Sequence, residues 1–269
     1  MSNDCYDALI DVVERRRSVR KFEPGKAVSR ETLLKIANAG RWAPSGANVQ
    51  PWDFLVIDDP DMRDRVIEVF LRQAERLKEF AKGFPAVYKR YLNNTVAIVI
   101  VLGDRRWAMS FPHGTTPESE AEYAANNDNI FYSSLGAAMQ NIQLAVTACG
   151  LTSAWLSGGG ENTTNRELSE VLGYPPSLTA FGTVPIGYPV KKVERRFRRP
   201  LEQVVHFNSY QADQFRPDEL VKFHHEHIRP LTMYRTQENV AEWDDAEEKF
   251  GDWLAAYTGR ITNPGGELP

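Results

Sequence analysis

The stretch that decides the fold is residues 43–52, which read APSGANVQPW, together with the two arginine clusters on either side of it. The first cluster is RRRSVR at residues 15–20, and the second is RRFRRP at residues 195–200. An arginine side chain carries a rigid fork of donors that suits the oxygens of a phosphate. Two such clusters, far apart in a chain of net charge -4, suggest that both meet around one phosphorylated ligand.

The loop between the clusters combines polar side chains with tryptophans. Ser45, Asn48 and Gln50 supply donors and acceptors beside Trp42 and Trp52. That mixture suits a flat aromatic ligand with polar edges. A proline-bracketed turn between a helix and a strand would also account for the loop. Its residues alone leave both interpretations open.

Length and composition restrict the class of protein. A chain of 269 residues can form one large domain or one domain with an extension. Its pI of about 5.8 argues against nucleic-acid binding. Cys5 and Cys149 form no CxxC pair, so the chain resembles neither a disulfide scaffold nor a zinc site, and we expect a reducing cytoplasm. The longest aliphatic run, residues 96–102, is too short to span a membrane, so we expect no membrane segment.

Hydrophobic periodicity predicts an alternation of helices and strands. The predicted helices are 4–14, 30–39, 61–81, 129–149 and 166–172, and the predicted strands are 54–57, 96–102, 153–156 and 180–186. Four strands alternating with helices indicate an α/β or α+β sandwich. We expect residues 1–206 to form one domain and residues 207–269 to be an extension that wraps a partner subunit, with a disordered tip.

Residues 103–127 have no hydrophobic period, which predicts a mobile lid. Its side chains Trp107, Phe111, His113 and Tyr123 could form an acceptor pocket or fold onto the surface as ordinary loop aromatics.

No nucleotide-binding glycine motif is present. The chain has no GxGxxG after a strand and no P-loop, and residues 158–160 lack a further glycine at the required spacing. Phosphate binding would therefore depend on arginine and serine side chains. His224–His227 lacks a fourth, spaced ligand, so we expect no metal site.

The arginine cluster, the polar loop and the late segment PIGYP…RFRRPLEQV occur in the order and spacing of the nitroreductase family of FMN-dependent flavoproteins. The sequence closely resembles that family over about residues 6–206. The resemblance implies an α+β (α/β sandwich) fold with a mostly antiparallel central sheet flanked by helices. It also implies an intertwined homodimer with FMN at the subunit interface, in which the small-residue helix 133–148 packs.

The resemblance also implies a role for each matching residue. The residues implied to hold the FMN phosphate and ribityl chain are Arg16, Arg17, Ser18 and Arg20 early in the chain, with Arg196 and Arg198 later. Those implied along the isoalloxazine edge are Pro44, Ser45, Gly46 and Asn48. Those implied near the flavin N5 and the C4 oxygen are Ser157, Gly158 and Gly159, with Ser157 as the catalytic contact.

The implied activity is hydride transfer from NADH or NADPH through flavin N5 to a small aromatic acceptor, such as a nitroaromatic or quinone, by ping-pong kinetics. Three alternatives stay open: a reductive dehalogenase, a biosynthetic oxidase or dehydrogenase, and a non-enzymatic flavin-binding protein. Lys89 resembles a substrate-clamping lysine of the halotyrosine deiodinase branch. That branch's Glu-xxx-Tyr partner is absent from residues 70–85. A flavin-destroying branch has Asp at the position of Ser18, which disfavours that chemistry.

Overall fold

The aliphatic run that follows Thr95 forms the central strand of the sheet, β2 (Ala97–Asp104), in which every residue is buried. It pairs antiparallel with β1 (Trp52–Ile57) on one side and with β4 (Leu178–Gly187) on the other. The short strand β3 (Thr152–Ser153) pairs with β4 at the edge. The sheet order is β1-β2-β4-β3, which confirms the predicted α+β class with an antiparallel sheet.

The structure is a computed structural model, and it describes residues 3–80, 88–191, 198, 201–212, 215–223 and 225–226. Its contacts divide the chain into two units. The first is Met1–Lys82 with Ala86–Val193, and the second is Gly83–Pro85 with Glu194–Pro269. Within the described ranges, no helix has the length and apolar character needed to cross a membrane. The domain boundary at residue 206 stays a prediction, and most of the extension lies outside the described residues.

Among its described residues, the first unit has five α-helices. They are α1 (Asn3–Arg15), α2 (Arg30–Arg41), α3 (Pro60–Lys78), α4 (Pro117–Ala148) and α5 (Asn162–Leu172). Ser29 caps α2, because its side chain accepts a hydrogen bond from the Thr32 amide. The second unit contains α6 (Asp218–Phe223).

Helices cover both faces of the sheet, and β2 alternates between two hydrophobic cores. Val99 and Val101 belong to the core beneath α2 and α4. Ile98 and Ile100 belong to the core beneath α3 and α5. This double burial explains the uniformly aliphatic sequence of β2, since a strand with one face in water would alternate with polar residues.

The predicted lid is wrong for residues 117–127, because α4 begins at Pro117 and includes them. Thr116 and Ser119 form a capping box, in which each side chain bonds the other's backbone. Proline at the first helical position reinforces that start. Phe111, predicted as a lid aromatic, is buried in the core beneath α4.

Two adjacent leucines of α2 provide a matched test of this packing. Leu33 is 1% exposed and Leu34 is 68% exposed. We expect Leu33→Ala to lower the free energy of unfolding by about 2 to 5 kcal/mol, because it leaves a cavity in the core. Leu34→Ala, the control, should change it by only about 0.5 kcal/mol. Urea denaturation measures both, and equal losses would contradict the described orientation of α2.

Candidate active site

The first arginine cluster follows α1 and lies along the edge of the sheet. The Val19 amide donates to the Ser153 carbonyl over 2.8 Å, and Ser18 forms a parallel bridge with Ser153. Arg16 and Arg17 are half-buried, whereas Ser18 is exposed. The backbone thus fixes two guanidinium groups and one hydroxyl beside the outermost strand, β3.

A buried glutamine of α4 holds one of these arginines. Arg16 Nη1 donates to Gln143 Oε1 over 3.2 Å. The Gln143 Nε2 amide and the Ser153 hydroxyl are buried without a hydrogen-bond partner among the described residues. Buried polar atoms are normally paired with protein or water. The unpaired atoms therefore indicate that a ligand or ordered water completes this corner.

The segment Ser157–Gly160 leaves the same sheet edge a few residues after β3. Its path is fixed by Leu156, which forms an antiparallel bridge with Thr183 of β4. Ser157 is exposed, and Gly159 is buried against the sheet. The structure therefore places Ser157, Gly158 and Gly159 close in the fold to the strand that anchors Arg16–Ser18.

Gly158 is the position in this segment at which a side chain would displace Gln73. A Cβ atom there would lie 2.1 Å from Gln73 Nε2. The same Nε2 donates to the Gly158 carbonyl over 2.8 Å. A larger residue at Gly158 would therefore force Gln73 of α3 away from the backbone and break this hydrogen bond.

Lys89 lies behind this segment. Its side chain is buried, and Nζ donates to Gln73 Oε1. Burial lowers the pKa of Lys89 to about 8; the carboxylate of Glu161 opposes that shift, and Arg76 adds to it. The lysine considered above as a substrate clamp is thus bonded inside the protein in this structure.

The loop after α2 has a strained backbone. Ala47, Asn48 and Gln50 all have φ near the left-handed value, at 50°, 52° and 50°. Such conformations are uncommon for residues other than glycine and cluster at functional sites. The Ser45 hydroxyl accepts from the Gln50 amide over 3.0 Å and so helps to hold this shape.

Helix α4 anchors the same loop on its other side. The Gly46 amide donates to Ser134 Oγ over 3.2 Å. A Cβ at Gly46 would lie 2.1 Å from Ile130 Cγ2, so the loop backbone packs against the Ile130 side chain of α4. At roughly 100° per residue, Ser134 and Gln143 lie on opposite sides of α4, and they are about 14 Å apart along its axis.

The structure therefore brings together some predicted site residues and separates others. Arg16–Ser18 and Ser157–Gly159 lie at one sheet edge, whereas α4 separates the loop residues Pro44, Ser45, Gly46 and Asn48 from that edge. Arg20 lies beside Tyr91. Burial raises the pKa of Tyr91 to about 12, and the positive charge of Arg20 lowers that pKa in part.

The second arginine cluster is only partly described. Arg198 belongs to the second unit, and Arg196 lies outside the described residues. Their role at the phosphate stays a prediction. His224 and His227 also lie outside the described residues.

Comparison with known proteins identifies the family. The Nitroreductase family matches residues 13–188. The chain belongs to the nitroreductase family. As a member of it, the chain is an oxidoreductase, and the resemblance read from the sequence motifs is confirmed.

Individual relatives of this family member differ in their named activities. A provisionally named NADH dehydrogenase/NAD(P)H nitroreductase of Archaeoglobus fulgidus is 27% identical over 215 residues, which covers 80% of this chain and 97% of the relative. Iodotyrosine deiodinase 1 of Mus musculus is 28% identical over 222 residues, which covers 76% of this chain and 69% of the relative. A solved structure, the BluB-like flavoprotein of Clostridium difficile 630, has a TM-score of 0.57 at 25% identity. The match covers 75% of this chain and 99% of that one.

Sequence reasoning missed two glutamines that contact the site. Gln73 lies one turn beyond Val69 and Phe70 on the buried face of α3, and Gln143 lies beside Ile142 on the buried part of α4. A polar residue at helical spacing within an apolar stripe is a signal that something must satisfy it. That signal was present at both positions.

The titration of Lys89 gives a test by pH. The pKa of Lys89 is about 8 in the folded chain and about 10.4 in an unfolded one. The unfolded state therefore binds the extra proton between these values, and stability should rise with pH there. We therefore compare the free energy of unfolding of the wild type with that of Lys89→Met. The difference, wild type minus variant, should increase by on the order of 1 to 3 kcal/mol between about pH 8 and pH 10.

Urea titrations of both proteins at several pH values across this window measure the effect. Burial raises the pKa of Tyr91 and of Tyr174, and both tyrosines are present in both proteins, so they cancel in the comparison. Parallel pH curves would contradict a buried, titrating Lys89.

Proposed function

We propose that this chain is an FMN-dependent NAD(P)H oxidoreductase that passes hydride, by way of flavin N5, to a small aromatic acceptor such as a nitroaromatic or quinone. One observation carries the proposal. The arginine cluster and the glycine segment lie at the same sheet edge, the first bonded to β3 through the Val19 amide and the Ser153 carbonyl, and the second held to β4 through the bridge from Leu156 to Thr183.

The residues at this edge fit FMN. Two half-buried guanidinium groups and a neighbouring hydroxyl match the charge and geometry of a phosphate monoester. Gln143 Oε1 accepts from Arg16 Nη1 and so orients the guanidinium, and the Nε2 donor of the same carboxamide is buried and unpaired among the described residues. The motif resemblance assigns the same residues to FMN, and a solved flavoprotein shares the fold.

The bound flavin would supply the electron-transfer chemistry. The chain's own contribution is to position the ring and to donate hydrogen bonds. Ser157 is exposed and would offer its hydroxyl and amide at flavin N5. Because Gly158 and Gly159 carry no side chain, their backbone amides can approach the ring edge closely. Donors fixed before the reaction are effective because they need no reorganisation when charge develops.

We further propose that the site is completed by a second copy of the chain. Along α4, residues 133, 136, 137, 140 and 144 form a stripe that no other described element buries completely. A Cβ at Gly136 would meet nothing within 4 Å. This stripe lies between the side that holds the loop and the side that holds Arg16. A partner helix packed on it would bring the partner's loop towards these arginines.

Dehalogenation is the second candidate. It is supported by the 28% identity to iodotyrosine deiodinase 1. The bond from Lys89 to Gln73 and the absence of a Glu-xxx-Tyr pair from the sequence of residues 70–85 make it the weaker one.

An anaerobic absorbance titration tests the proposed function. The purified protein is loaded with FMN and titrated with NADH and then NADPH, followed by a nitroaromatic, a quinone and a halotyrosine. Bleaching by a nicotinamide and recovery with the nitroaromatic or quinone would support the proposal. A protein that binds no FMN, or whose flavin stays oxidised, would contradict it. Recovery with the halotyrosine alone would favour dehalogenation.

Replacing one arginine tests the phosphate assignment. We expect Arg17→Ala to weaken FMN binding by about 1 to 3 kcal/mol, because a charge-assisted contact is lost. Riboflavin has no phosphate, so its weaker binding should not change. The control is Arg15→Ala, since Arg15 is exposed and pairs with Asp11. Fluorescence titration gives each dissociation constant, and an equal loss for both ligands would contradict the assignment.

The same measurement on Arg198→Ala tests the second cluster. An unchanged FMN affinity would exclude Arg198 from the phosphate site.

A further inference from the structure

A buried cation is connected to the glycine segment by two hydrogen bonds. Lys89 is 4% exposed, and its Nζ donates to Gln73 Oε1. The Gln73 side chain is fully buried, and its Nε2 donates to the Gly158 carbonyl over 2.8 Å. The carboxamide of Gln73 thus accepts from the ammonium at one end and donates to the backbone at the other.

This connection is costly to build, which argues against a passive role. An ammonium loses much of its hydration when it is buried. Around Lys89, α3 contributes the carboxamide of Gln73 and the charge of Arg76, and the segment after Gly160 contributes the carboxylate of Glu161. The Phe70 ring centroid lies 5.6 Å from Nζ. Only Glu161 among these groups brings an opposite charge.

The geometry at Gly158 directs the effect of the cation to one peptide group. The carbonyl that Gln73 binds belongs to the peptide that carries the Gly159 amide. Hydrogen bonds in a chain polarise one another, so a donor on the carbonyl makes the amide of that peptide a stronger donor. The Gly159 amide is one of the groups placed at the flavin edge under the proposed function.

We propose that Lys89 is a positioning residue that acts through Gln73 on the Ser157–Gly160 segment. It fixes the peptide group between Gly158 and Gly159, strengthens the Gly159 amide as a donor, and places a positive charge behind that amide. That charge favours the negative charge that a flavin ring gains on reduction. The inference rests on the proposed function, but the fixing of the segment does not depend on a bound flavin.

The first experiment uses the full chain without FMN. Hydrogen exchange is followed in peptides that cover residues 157–161. We expect exchange to be at least about fivefold faster in Lys89→Met than in the wild type, because the segment opens more easily. The control is Lys78→Met, which removes an exposed lysine of α3 that pairs with Glu75, and its exchange should match the wild type.

A paired variant separates loss of the connection from general destabilisation. Lys89→Met with Gln73→Leu replaces both partners by apolar groups of similar size, which leaves neither partner unsatisfied in the interior. We expect this double variant to recover stability relative to Lys89→Met while its segment still exchanges fast. Segment exchange that returns to the wild-type rate in the double variant would overturn the proposal.

The second experiment measures the midpoint potential of bound FMN, which a purely structural role would not move. We expect Lys89→Met to lower this midpoint potential by about 30 mV, which for a two-electron couple corresponds to a roughly tenfold weaker preference for reduced over oxidised FMN. Lys78→Met should leave the potential unchanged. A potential and an exchange rate in Lys89→Met equal to those of Lys78→Met would overturn the inference. A wild type that binds no FMN would instead overturn the proposed function, and the exchange experiment would still decide the role of Lys89.

Discussion

The packing of α4 against the sheet is the constraint on which the candidate site depends. Met139, Ile142 and Val146 are fully buried in the core beneath this helix, so it cannot rotate without losing them. The orientation of its other sides follows from this packing. Ser134 accepts a hydrogen bond from Gly46 of the loop after α2, and Gln143 accepts one from Arg16. The helix therefore fixes both segments of the candidate site and keeps them apart within one chain.

Both site segments are shaped by side chains that come from helices. Gly46 lies against the Ile130 side chain of α4, and Gly158 lies against the Gln73 side chain of α3, each so closely that an added Cβ would displace that side chain. Each segment is thus anchored to a helix with a hydrophobic face in a core. Rigid support of this kind suits a site that must present donors in a fixed geometry.

Much of the fold could be predicted from the sequence because the signals were local. The doubly covered strand β2 follows from its uninterrupted aliphatic residues, and the start of α2 follows from the Ser29 cap. The start of α4 was missed because its first turns lack a hydrophobic period, although Thr116, Pro117 and Ser119 carry a capping signal. The other features of the first unit depend on tertiary contacts, which local sequence patterns do not show.

The candidate site was predictable in part. The arginine cluster and the glycine segment were recognisable as motifs, and the structure brings them to one edge. The separation of the loop from that edge was not predictable, because it depends on which side of α4 each segment contacts. The connection from Lys89 through Gln73 to Gly158 joins three separate segments of the sequence. A local sequence pattern cannot predict such a contact. The cytoplasmic location stays a prediction.

A mixed dimer tests the central claim most directly, namely that one FMN site takes its arginines from one chain and its loop from another. One chain carries Arg17→Ala, and the other carries Ser45→Ala with Asn48→Ala; two affinity tags isolate the mixed species. In a two-fold dimer the account predicts one intact site and one doubly defective site. At an FMN concentration that fills the wild-type sites but lies below the dissociation constants of the mutants, the mixed dimer should therefore bind about one FMN, whereas each mutant homodimer binds much less. A mixed dimer that binds as little as the homodimers would contradict the account, because every site would then carry one defect.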